Sequence, residues 1–164
     1  MGIACPPRKF PTEPAIIHGT TVVTECAAIC AYLADVFPQA GLAPPAGDRR
    51  RGPYYRWLFF AAGPVEAAAS NRALGFVVPA GRERMIGYGS YEETMDTLEA
   101  AVSANEFLTG DSFTAADVYV GSHIGFGMRF GTFEKRPGFE RYWQRVSTRP
   151  AAVRANEIDD ALAA

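Results

Sequence analysis

Residues able to do chemistry are few in this chain and widely spread. It carries three cysteines, Cys5, Cys26 and Cys30, and two histidines, His18 and His123. No CxxC pair and no Cys/His ligand spacing occurs among them, so no metal centre is expected. Cys26 and Cys30 lie four positions apart and share one face of any helix that holds them. So small and odd a cysteine set reads as buried thiols in a reducing compartment. Neither histidine has a companion ligand near it in sequence, and each reads as a satisfied structural side chain. The stretch GDSFTAADVYVGSHI, residues 110–124, holds a carboxylate with a defined task. Thr114 and Asp117 have the spacing of a capping box, in which the acid at the third helical position reaches back to the N-cap amide. Phe113 and Val118 flank them as a hydrophobic staple. Most capping boxes are structural, so this one alone says nothing about function.

The elements that must position these residues follow from periodicity. Residues 1–13 hold three prolines and no pattern, and read as an irregular lead-in. Ala15-Ile16-Ile17 and Thr21-Val22-Val23 are β-branched runs around a His-Gly-Thr turn, the signal of a β-hairpin. Cys26, Ile29, Cys30, Leu33 and Phe37 then recur at helical spacing until Pro38 closes the helix. Residues 38–48, rich in Pro, Gly and Ala, read as a linker. Beyond it every signal is helical. One helix opens at Pro53 and must kink or break at Gly63-Pro64. The segment 75–89 is a loop. A second capping box, Ser90 and Glu93, starts the next helix. The helix from Thr114 is expected to run to about residue 125 or 127. The last two helices follow Pro137 and Pro150.

Composition narrows the classes of function. The formal net charge is −2 and the pI about 5.7, which favours neither nucleic acid nor an anionic membrane as a partner. Arg49-Arg50-Arg51 is short enough to be a solvated cluster. No run reaches the length of a membrane span and the start lacks a signal-peptide core, so a cytoplasmic location is expected.

In order and spacing, four stretches resemble the cytosolic glutathione S-transferase family. They are EPAIIHGTTVVTECAAICAYLADVFP, PYYRWLFFAAGPVE, FLTGDSFTAADVYVGSHI and RPGFERYWQRVSTRPAAVRA, and they cover nearly everything after residue 13. The fold implied is mostly α. A partial thioredoxin-like α/β unit, the hairpin plus one helix, occupies residues 1–46, and an all-α glutathione transferase C-terminal-like domain occupies 47–164. The resemblance also implies a homodimer that transfers glutathione to a hydrophobic electrophile.

Carried over residue by residue, the glutathione site comprises Glu13 and Pro14, at the family's cis-proline position, and Glu25-Cys26, where the family has a Glu-Ser pair. A helix N-terminus there offers free amides and the positive end of its dipole to the γ-glutamyl carboxylate. The departure is Cys26. A thiol donates poorly where a hydroxyl donates well, so glutathione binding is expected to be weakened. The electrophile pocket implied by the resemblance draws on Tyr54, Trp57, Phe60, His123 and Phe126. The family's activating Tyr, Ser or Cys has no counterpart, because the seven residues between Pro6 of Cys5-Pro6 and Pro14 hold no helix and crossover strand. Transfer chemistry therefore lacks an identified catalytic residue, and the alternative is a non-catalytic helical interaction module of the same fold.

Overall fold

The structure, a computed structural model, describes residues 2–4 and 14–163. Glu13, Cys5 and Pro6 lie outside the described residues. Strands β2 (Ala15–His18) and β3 (Thr21–Thr24) pair antiparallel, with Ala15 opposite Thr24 and His18 opposite Thr21. Gly19 takes the positive φ of 63° that the tight connection requires. The lead-in departs from expectation at its start. Ile3–Ala4 forms β1, antiparallel to β2 on the edge away from β3, so the sheet has the order β1-β2-β3.

Helix α1 (Cys26–Val36) follows β3 after a single residue. His18 Nδ1 lies 2.9 Å from the Tyr32 hydroxyl and ties the end of β2 to this helix. The 38–48 connection is held rather than loose. The Leu42 carbonyl accepts from the Ala115 amide at 2.8 Å, and Arg51 bridges to the Pro44 carbonyl at 2.6 Å and to Asp35 at 2.8 Å.

Helix α2 (Arg51–Phe60) passes through a π-helical turn, Ala61–Val65, into α3 (Glu66–Ala73). The interruption expected at Gly63-Pro64 takes this form because Pro64 cannot donate to the preceding turn and its ring needs room there. Helix α4 (Tyr91–Ala104) starts at the Ser90/Glu93 box, with Ser90 N–H donating to Glu93 Oε2 at 3.0 Å and Glu93 N–H to Ser90 Oγ at 3.1 Å.

Helix α5 (Ala115–Phe130) is the centre of the bundle, packing on α1, α2 and α6 (Pro137–Ser147). It runs past residue 127 because Gly125 and Gly127 are contact sites, not terminators. A Cβ on Gly125 would come within 2.6 Å of the Trp143 ring, and one on Gly127 would strike Phe133. Helix α7 (Pro150–Ala163) closes the described chain and is largely exposed. None of the described helices is long and apolar enough to cross a membrane.

Asp117 behaves as its spacing predicts. Fully buried, its carboxylate accepts from the Thr114 amide and hydroxyl at 2.8 and 2.9 Å, from the Leu108 amide at 2.8 Å and from the Tyr142 hydroxyl at 2.7 Å. One acid thus joins the loop before α5, the start of α5 and the middle of α6. Phe113 packs edge-on to Phe107, whereas Val118 stays 41% exposed.

Candidate functional site

The junction of β3 and α1 is the most strained point of the described backbone. Glu25 holds φ 66° and ψ 120°, the positive φ of a non-glycine residue, immediately before the helix. Such a conformation costs roughly 1–3 kcal/mol and persists only where the surroundings enforce it. Its effect is to stop the strand and start the helix within one residue. Cys26, the first residue of α1, is exposed, contrary to the expectation of two buried thiols. Cys30, one turn later, is half-buried. Burial first, and then Cys26 beside it, push its thiol up to about 11, so it stays protonated and unreactive at neutral pH.

Cys26 and Cys30 border a cavity of about 540 Å³ between the start of α1, helix α3 and helix α5. Its walls are chiefly apolar. Phe126 and Phe130 of α5 stack on each other at 6.1 Å between ring centres, both more than half exposed. Tyr119 and His123, one turn apart, meet edge-to-face at 4.7 Å. Burial pulls the His123 imidazole below the ordinary histidine range, so it is neutral at pH 7. Desolvation pushes the Tyr119 hydroxyl up to about 12, with the Glu66 charge adding to it. Glu66 and Ser70 of α3 are the polar groups of the facing wall. The arrangement suits a flat apolar ligand, with a neutral imidazole and a phenol to meet its polar atoms. The exposed helix start at the rim suits an anionic group.

Of the residues expected at the site, Cys26, His123 and Phe126 border this cavity. Glu25 stands beside it at the junction, and Pro14 lies exposed just ahead of β2. Tyr54 and Trp57 stand elsewhere. They are 1% and 7% exposed and belong to the core, with Phe60 packed against that core and edge-to-face with Trp57. Helix α2 turns this aromatic side inward onto α5, so it lines no part of the cavity. Sequence reasoning missed Tyr119, Phe130 and the small-residue face of α3. One signal was present. Val118, Ser122, Phe126 and Phe130 recur every four residues along a helix most of whose other residues are buried or half-buried, which marks a second, largely apolar stripe.

The fold has counterparts among known proteins. Residues 82–150 match the family model of the glutathione S-transferase C-terminal domain. A glutathione S-transferase of Arabidopsis thaliana is 32% identical over 76 residues, which is 42% of this chain and 34% of that protein; the match spans about a third of that curated relative's length. A crystal structure of a glutathione transferase from Methylococcus capsulatus strain Bath is 27% identical, with a TM-score of 0.72 over 90% of this chain and 73% of that one. A sphingomonad glutathione S-transferase complexed with glutathione shares the fold at 23% identity, with a TM-score of 0.66 over 90% of this chain and 73% of its own. The helical bundle thus matches the model of the glutathione S-transferase C-terminal domain over residues 82–150, and the fold resembles that of solved glutathione transferases.

Proposed function

We propose that the chain binds glutathione at the start of α1 and holds a hydrophobic electrophile in the adjoining cavity, as a glutathione transferase-like protein. The observation that carries this reading is the strained Glu25 junction, which sets Cys26, the first residue of an eleven-residue helix, at the border of an aromatic cavity. The γ-glutamyl carboxylate would take the first amides of α1, with the dipole of that helix behind them. Cys26 then stands where a hydroxyl would add a charged hydrogen bond, worth roughly 1.5–3 kcal/mol. Its thiol contributes less, and binding is weakened accordingly. Transfer would form a bond from the glutathione sulfur to the electrophilic carbon as the leaving group departs. Glu13 and Pro14 would complete the peptide-binding edge. In the same reading the chain divides near residue 46 and works as a cytoplasmic homodimer. The exposed Tyr55 and Phe59, one turn apart on α2, supply an apolar face for pairing.

Calorimetric titration with glutathione, followed by a conjugation assay with an activated aryl halide, tests the two halves separately. Millimolar or weaker binding that tightens in Cys26→Ser is expected. Absence of binding in both proteins would overturn the reading. Binding without conjugation would leave glutathione as a ligand and remove the transferase step.

A further inference from the structure

We infer that Cys26 and Cys30 form a two-thiol site for a monosubstituted trivalent arsenical, whose apolar substituent enters the cavity beside α1. The inference does not rest on glutathione binding, although Cys26 belongs to both readings.

The two sulfurs share one helix face. Cys26 opens α1 and Cys30 follows four residues later, about one turn on, and both border the cavity of about 540 Å³. Cys26 is exposed and meets a reagent arriving from solvent, while Cys30 stands half-buried behind it. A negative charge on Cys26 acts on Cys30 and holds its proton more tightly, a second sign that the two are close.

Helix geometry then selects what joins them. Cβ atoms four residues apart lie about 5–6 Å from each other, whereas a disulfide needs about 3.5–4.5 Å. A direct S–S bond would therefore unwind the first turn of α1. A single atom bonded to both sulfurs spans the wider gap with the helix intact. Among the described residues, no three Cys, His, Asp or Glu side chains gather as metal ligands. The pair thus suits a centre that two sulfurs complete, and trivalent arsenic carrying one carbon substituent is such a centre.

The rest of the cavity fits the substituent. Its charged lining residue is Glu66, and His123 is neutral, which favours an uncharged ligand over an anion. Phe126 and Phe130 supply an aromatic wall for a ring. Phenylarsonous acid is uncharged at neutral pH. Each thiol gives its sulfur to arsenic, and its proton leaves with an arsenic hydroxyl as water. Two As–S bonds form as two As–O and two S–H bonds break, and arsenic stays trivalent. The proton held on Cys30 slows attack on disulfides and alkyl halides, which need the thiolate; here it departs in the water.

Phenylarsonous acid, titrated without glutathione into the full chain carrying Cys5→Ser, tests this by equilibrium dialysis and intact mass. One arsenic per chain is expected, with two thiols consumed and two waters lost, reversed by ethanedithiol. Cys26→Ser and Cys30→Ser on that background should each bind at least about a hundredfold more weakly, the usual gain from a second tethered contact. Methylarsonous acid should bind about tenfold more weakly than the phenyl compound, whose ring is buried against Phe126 and Phe130, and Phe130→Ser should narrow that gap. A single-thiol variant that binds as tightly as its parent would overturn the proposal. So would equal methyl and phenyl affinities, loss of both thiols to a disulfide without arsenic, or no adduct. Cys26→Ser, at an exposed position, keeps the comparison sound even where Cys30→Ser melts early. Glutathione titration is a separate experiment, so failure of either reading leaves the other standing.

Discussion

Replacing Asp117 should be the most damaging single change of polarity in the chain, and the structure allows its cost to be worked out. Its two oxygens receive four donors at 2.7–2.9 Å in a fully buried setting. In Asp117→Asn the remaining oxygen can keep the Thr114 amide, and the new NH₂ can turn to the Tyr142 hydroxyl, which accepts as well as donates. It cannot meet the Leu108 amide, because donor would face donor. One orphaned buried amide plus the loss of charge from the surviving bonds gives a cost of about 2–4 kcal/mol. Asp117→Ala strands all four donors and opens a void, so at least about 4 kcal/mol is expected, a large share of the ~5–15 kcal/mol of a typical domain. Tyr142→Phe removes one donor and leaves the acid otherwise served, for about 1.5–3 kcal/mol. Burial and the neighbouring carboxylate hold that hydroxyl far above the ordinary tyrosine range, so it remains a donor at every accessible pH. Urea denaturation followed by circular dichroism measures all three, and hydrogen exchange at Leu108 reports the orphaned amide directly. An Asn variant within about 0.5 kcal/mol of wild type, with the Leu108 amide still protected, would refute the account.

Other perturbations probe different elements. Gly125→Ala should destabilise by about 1–3 kcal/mol and shift Trp143 fluorescence, since the new methyl falls 2.6 Å from its ring; an unchanged melt and spectrum would mean the helices are not in contact there. His123 has a lowered pKa from burial, so below about 6.5 the unfolded chain binds a proton that the folded chain refuses. Stability should therefore fall as pH drops from 7 through that value, and His123→Phe should flatten the fall; parallel pH profiles would argue against it. Cys26→Ser should tighten glutathione binding by about tenfold in calorimetry, by restoring a good donor at the start of α1; no gain where binding is measurable counts against that subsite.

What the sequence disclosed and what it hid divide along the range of the interactions involved. Both capping boxes were legible because every partner sits within three residues, and the structure forms them. The break at Gly63-Pro64 was legible for the same reason, but its π-helical form depends on how α2 and α3 jointly settle on the bundle. The end of α5 was misread at Gly125 and Gly127, because a glycine that ends a helix and one that admits a neighbour's ring look alike in one dimension. Only Trp143, eighteen residues beyond Gly125, and Phe133, six beyond Gly127, tell them apart. β1 escaped because two residues carry no periodicity, and their pairing to Ile17 and His18 is a distant contact.

The site shows the same division with a sharper consequence. Glu25-Cys26 was singled out through the family resemblance, and its place at a strand end and helix start was legible from local signals. The cavity beside it was not, because helical spacing shows that aromatics share a face and is silent on which face meets the core. Tyr54 and Trp57 on α2 and Phe126 and Phe130 on α5 are equally aromatic stripes, and only the first pair is buried. The decisive difference lies in the residues opposite them. Helix α5 presents small residues to its neighbours, Gly121, Gly125 and Gly127, and is gripped closely on those sides. Its Val118-Ser122-Phe126-Phe130 stripe is left over after every close-packing side has been used. Glycine placement on one helix thus determines where its unburied apolar surface must lie, and the cavity beside α1 flanks that surface.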